Sequence, residues 1–94
     1  MNNLNKVVAV FELVVKQSNF DGLLKAKLLA AKGEIKSNFE TFRTTSRAEG
    51  MPETEQYKYA VAMSIGKIMQ GARVSKKDGR DFNHKIGTAI EKML

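Results

Sequence analysis

Apolar residues along this chain recur at steps of three and four, the period of an α-helix packed on one side. Leu4, Val7, Val8, Phe11, Val14 and Val15 form the first stripe and predict a helix from about Asn3 to Gln17. Its β-branched residues lower intrinsic helix propensity, so packing must hold it. Val10 and Leu13 lie off that stripe, which predicts contact on more than one side. Ser18-Asn19-Phe20-Asp21 reads as a stop and restart, with Ser18 as cap and Asp21 in the first turn of the next helix. A second stripe, Leu24, Leu28, Ala31, Ile35, Phe39 and Phe42, predicts one long helix from about Phe20 to Thr44 or Arg47. Gly33 lies inside it, where Gly costs about 1 kcal/mol against Ala, and predicts a kink or a close helix crossing.

Residues 44–50 read as a loop. Met51-Pro52-Glu53-Thr54-Glu55 is a helix start, with Pro in the first turn and acids near the positive end of the dipole. Tyr57, Val61, Ile65, Ile68, Met69 and Ala72 then share about a third of a helical wheel, and the predicted helix ends near Gln70 or Ala72. A hairpin competes for residues 57–74. Tyr57, Tyr59, Val61, Met63 and Ile65 also alternate, and Gly66-Lys67 suits a two-residue turn. The start signals and the Ala, Met, Gln, Glu and Lys content favour the helix. Residues 71–79 read as a basic linker. A last helix, with stripe Phe82, Ile86, Ala89, Ile90 and Met93, runs from about Gly79 or Arg80 to Met93, with Asp81 and Lys85 spaced to pair. The expected fold is all-α, a compact four-helix arrangement in a single domain over residues 1–94, the alternative being α+β with the hairpin.

Composition narrows the function. The chain has no Cys, no Trp and one His, so disulfides, thiolate zinc sites and cysteine nucleophiles are excluded. The net charge is +6, with the cations divided evenly between the two halves. A basic balance favours nucleic acid or an acidic protein surface as partner. The amino-terminal run is interrupted by Glu12 and Lys16, so it reads as an amphipathic helix and not as a signal peptide or membrane span. The expected location is the cytoplasm.

Candidate chemistry is sparse. His84, beside Lys85 on a polar face, reads as a surface residue; no metal or cofactor site is expected. Gly66 and Gly71 have the spacing of a phosphate loop, but Ala72 and Arg73 stand where Lys and Ser or Thr are required. The acids of Asp78-Gly79-Arg80-Asp81 are three apart, which does not suit a calcium loop. Ser64 or Ser75 near His84 has nothing further to support hydrolase chemistry, and no enzyme is expected. Tyr57 and Tyr59 beside Lys58 could stack on single strands, but one core and one edge tyrosine is the plainer account.

Two surfaces remain as candidates. The third helix, the basic linker and the fourth helix could form a helix-turn-helix, Ser75 capping a helix that presents Lys76, Lys77, Arg80 and Asn83 to phosphates and base edges. The expected contacts are Arg73, Lys76, Lys77, Arg80 and Lys85. The competing account is a solvated basic loop joining two packed helices. The second surface is the long stripe of the second helix, where Leu24, Leu28, Ile35, Phe39 and Phe42 could pair two copies as a homodimer.

Residues 72–90 resemble the carboxy-terminal part of some small phage-encoded proteins. Ser75-Lys76-Lys77-Asp78 matches their basic turn, and Phe82, Lys85, Ile86, Gly87 and Ile90 match their helix pattern F-x-x-K-I-G-x-x-I. Gly79-Arg80 is an insertion against that pattern. The resemblance carries over no site residues; it implies a phage or mobile-element origin and, in those proteins, a strand pair ahead of the segment. The leading expectation is a non-enzymatic binding protein whose partner is DNA or RNA. The alternatives are an inhibitor that docks on an acidic surface of a host protein complex, and a small structural or assembly subunit.

Overall fold

Five α-helices surround one hydrophobic core in a computed structural model of the chain, which describes residues 3–94. They are α1 (Asn3–Gln17), α2 (Gly22–Ala30), α3 (Lys32–Phe42), α4 (Glu53–Gly71) and α5 (Lys76–Met93), with a single 3-10 turn at Ser46–Ala48 between α3 and α4. Among the described residues there is no strand, so the hairpin over 57–74 is replaced by the continuous α4. α4 packs against α3 and α5, and α1 packs against α2, α3 and α5. The molecule measures 36 × 25 × 22 Å.

The first helix has the expected bounds, and Leu4, Val7, Phe11 and Val15 are its buried residues. Leu13, however, is 54% exposed, so the off-stripe apolar positions do not all mark a second packed face. At the corner that follows, Ser18 closes α1 by donating from its hydroxyl to the Val15 carbonyl. The cap of α2 is Asp21 and not Ser18: its Oδ1 accepts from the Leu24 amide at 2.8 Å.

The predicted long second helix is two helices. At Ala31 the ladder tightens from four-residue to three-residue spacing: the Ala31 amide donates to Leu28, and the Glu34 amide to Ala31. The break stands two residues before Gly33. A side chain at Gly33 would meet no neighbour within 4 Å, so that glycine serves no close crossing. The apolar stripe stays in register across the break, and Leu24, Leu28, Ala31, Ile35, Phe39 and Phe42 are all buried.

This burial corrects the dimer surface. Leu24, Leu28, Ile35, Phe39 and Phe42 are between 0% and 7% exposed in the single chain. They fill the core against α1 and α4, and presenting them to a second copy would require the fold to open. Phe39 stacks on Tyr57 at 4.4 Å and Phe42 on Tyr59 at 4.2 Å, tying α3 to α4. Ser64 is the buried polar side chain of this interface; it donates to the Ala60 carbonyl and accepts from Asn38 at 2.9 Å.

α5 starts at Lys76, three or four residues earlier than the periodicity places it. Ser75 is its cap, accepting from the Asp78 amide at 3.1 Å, so Lys76 and Lys77 are helical and the connection to α4 is only residues 72–75. A side-chain cap contributes about 1 kcal/mol, enough to offset Gly79 inside the helix at about the same magnitude.

Candidate nucleic-acid interface

The α4–α5 turn is built by a Schellman-type close. The Val74 amide donates to the Met69 carbonyl and the Arg73 amide to Gln70, which leaves Arg73 at φ 58°. That left-handed position favours Gly because a Cβ crowds the following carbonyl. Arg73 is the only described residue other than Gly with positive φ. A cationic side chain therefore occupies a site where the backbone disfavours any side chain.

Lys76 and Lys77 follow in the first turn of α5, and Arg80 in the second; all are exposed. At about 100° per residue, Lys76, Lys77 and Arg80 span roughly a quarter of the helix circumference. Cations in the first turn face the positive end of the helix dipole, each at a cost of about 0.3–1 kcal/mol. Asp78 offsets part of this, and an anion bound at the turn would offset more. Among the described residues the ion pairs are Lys32–Glu12 at 2.9 Å, Lys58–Glu55 at 3.1 Å and Lys58–Glu91. Arg73, Lys76, Lys77 and Arg80 take part in none of them.

Lys85 does not join this group. Five residues beyond Arg80, it is turned about 140° around the helix. It lines a separate groove of about 900 Å³ with Asp78, Asp81, Phe20, Phe82 and Lys92. Asp81 and Lys85 have the spacing of a pair but form no ion pair. Lys58 is neutralised: its stem crosses Gly87, 3.3 Å from where a Cβ would stand, and its Nζ reaches Glu55 and Glu91. Those contacts raise the Lys58 pKa, chiefly through Glu91, and the same bond holds Glu91 below the usual carboxylate range.

Residues 56–77 contain no Asp or Glu and five cations, Lys58, Lys67, Arg73, Lys76 and Lys77. Counting charge by halves conceals this run, because Glu53, Glu55, Asp78, Asp81 and Glu91 flank it. On α4 a strip from half-buried Tyr59 through exposed Met63, Gly66 and Gln70 leads along the helix towards Arg73.

The groups considered for catalysis are apart or occupied. Ser64 is buried in the α3–α4 interface, the Ser75 hydroxyl caps α5, and His84 is exposed on the outer side of α5. Among the described residues no three His, Asp or Glu side chains gather where they could hold a metal, and no helix is long and apolar enough to cross a membrane. No protein-family model, no curated protein and no solved structure matches the chain.

Proposed function

We propose that this chain is a non-enzymatic nucleic-acid-binding protein that contacts phosphates through Arg73, Lys76, Lys77 and Arg80. The observation that carries this reading is the concentration of four exposed, unpaired cations on one turn, held there against backbone and dipole preference. Neutral helix formers would stabilise the same turn, so the charges are better explained by an anionic partner than by folding. Phosphate supplies such a partner in a repeating array.

The test is fluorescence anisotropy with labelled duplex DNA, single-stranded DNA and RNA at two salt concentrations. Four phosphate contacts give a logarithmic salt slope of roughly −3 to −4, or about 100-fold weaker binding between 50 and 200 mM salt. Reversing the charge of Lys76, Lys77 and Arg80 together should abolish binding. Unchanged binding after that reversal would remove the turn as the site. No binding at low salt would overturn the nucleic-acid reading and leave an acidic protein surface as the partner to seek by pull-down.

A further inference from the structure

A second cationic group stands at the other end of α4. Arg43 caps the C-terminus of α3, and Arg47 lies in the 3-10 turn that follows. Both are exposed, and each lies against an aromatic ring. The Arg47 guanidinium is 5.1 Å from the Tyr59 ring centroid, and its Nη1 donates to the Tyr59 hydroxyl at 3.0 Å. Arg43 lies 5.4 Å from the Phe39 centroid. Beneath them the rings continue inward, Tyr59 onto Phe42 and Phe39 onto Tyr57. Two stacks therefore start in the α3–α4 interface and each ends on an exposed guanidinium.

Among the described residues neither arginine has a carboxylate within ion-pair distance, although Arg43 is near enough to Glu53 to help lower its pKa, after the hydrogen bonds from Tyr57 and Asn3. Glu53 accepts instead from the Tyr57 hydroxyl at 2.7 Å and from Asn3 at 3.4 Å. The outer face of Arg47, and those of its donors not directed at Tyr59, are open to a ligand. A planar cation fixed on a ring loses less side-chain freedom on binding than a free one.

We propose that Arg47, stacked on Tyr59, is a platform for an unpaired base of a single-stranded nucleic acid, with Arg43 taking an adjacent phosphate. This rests on the nucleic-acid reading above and narrows it to single strands, because bases stacked within a duplex do not offer a face to a side chain. The geometry joins the two sites. Tyr59 and Gly71, where α4 ends two residues before Arg73, are twelve residues apart along the helix, or about 18 Å. The strip between them, with Met63 half-exposed and Gly66 without a side chain, carries no acid to repel a backbone.

The test compares Arg47→Lys with the unaltered protein on a labelled single-stranded oligonucleotide and on a duplex of the same sequence. Lysine keeps the charge and loses the plane. Single-strand affinity should fall on the order of 5- to 10-fold, while the salt slope and duplex affinity stay as they were. An unaltered single-strand affinity, or an equal loss on both ligands, overturns the platform and leaves the turn site standing. If the unaltered protein binds neither ligand, both proposals fall together. Arg47 is exposed, so the variant's thermal unfolding should match that of the unaltered protein.

Discussion

Arg73→Gly should make the protein more stable and a weaker binder at once. With φ at 58°, Arg73 bears the left-handed penalty of about 1–2 kcal/mol that a Cβ imposes. Glycine relieves it but gains freedom in the unfolded chain, which returns about 0.5–1 kcal/mol of the benefit. The turn's two hydrogen bonds come from the backbone and survive the change. The side chain is exposed and makes no ion pair, so little packing is lost. The net expectation is a gain of up to about 1.5 kcal/mol, at roughly 4–8 °C in Tm per kcal/mol for a chain of this size. One phosphate contact disappears, and the salt slope should flatten by about 0.7–0.9. Arg73→Ala is the control: it removes the same charge, keeps the strain, and should weaken binding without raising Tm. Urea and thermal unfolding read the stability, and salt-dependent anisotropy reads the binding. A Tm for Arg73→Gly at or below that of the unaltered protein would refute the strained turn. A raised Tm with an unchanged salt slope would refute the role of Arg73 at phosphate.

Ile35→Ala should cost about 2–5 kcal/mol, because Ile35 is fully buried; the reasoning fails if light scattering shows a lost oligomer with no loss of unfolding free energy. Gly50→Ala should destabilise by about 1–2 kcal/mol because φ is 75° there, whereas Gly66→Ala, with open space around its helical position, should stabilise by about 0.5–1 kcal/mol; urea midpoints moving in the same direction would contradict this. The Tyr57 phenol is pushed up to about 12, first by burial and then by its bond to Glu53. The folded state therefore holds the neutral phenol. Its contribution is intact below pH 10 and disappears as pH rises towards 12, about 2–3 kcal/mol in all. A tyrosinate absorbance titration of Tyr59→Phe should show the remaining phenol ionising with unfolding; ionisation near pH 10 in the folded protein would contradict it.

What was legible in the sequence follows from how each signal arises. The bounds of α1 are visible because its stripe is continuous and Ser18 ends it. The division between α2 and α3 is not, because the apolar stripe passes through Ala31 unbroken and alanine is the strongest helix former. The break exists only as a change of hydrogen-bond spacing, to which the residue types give no clue. The start of α5 is not legible from its apolar stripe, which begins only at Phe82; the Ser75 cap sets it, and Gly79 inside the helix, of similar magnitude, does not end it.

The site divides in the same way. Arg73, Lys76, Lys77 and Arg80 are near one another in sequence, so a turn suffices to gather them. Lys85 is near them too, and the helix turns it away; adjacency over five helical residues is adjacency along the axis but not around it. Arg43 and Arg47 are missed for the opposite reason. Their aromatic partners Phe39 and Tyr59 lie on two different helices, and only the packing of α3 on α4 places Tyr59 under Arg47. The acid-free run over 56–77 was the signal within reach, because α4 must lie between any two sites at its ends. Lys58 shows how the fold selects among cations that look alike in sequence: it belongs to that run, yet Glu55 and Glu91 neutralise it. Among the described residues, two clusters of cations that form no ion pair stand at the ends of α4, Arg43 and Arg47 at one end and Arg73, Lys76, Lys77 and Arg80 at the other. A partner that meets both groups must therefore be anionic over at least the length of α4, and a single strand with repeating phosphates meets that requirement while still offering bases to Arg47.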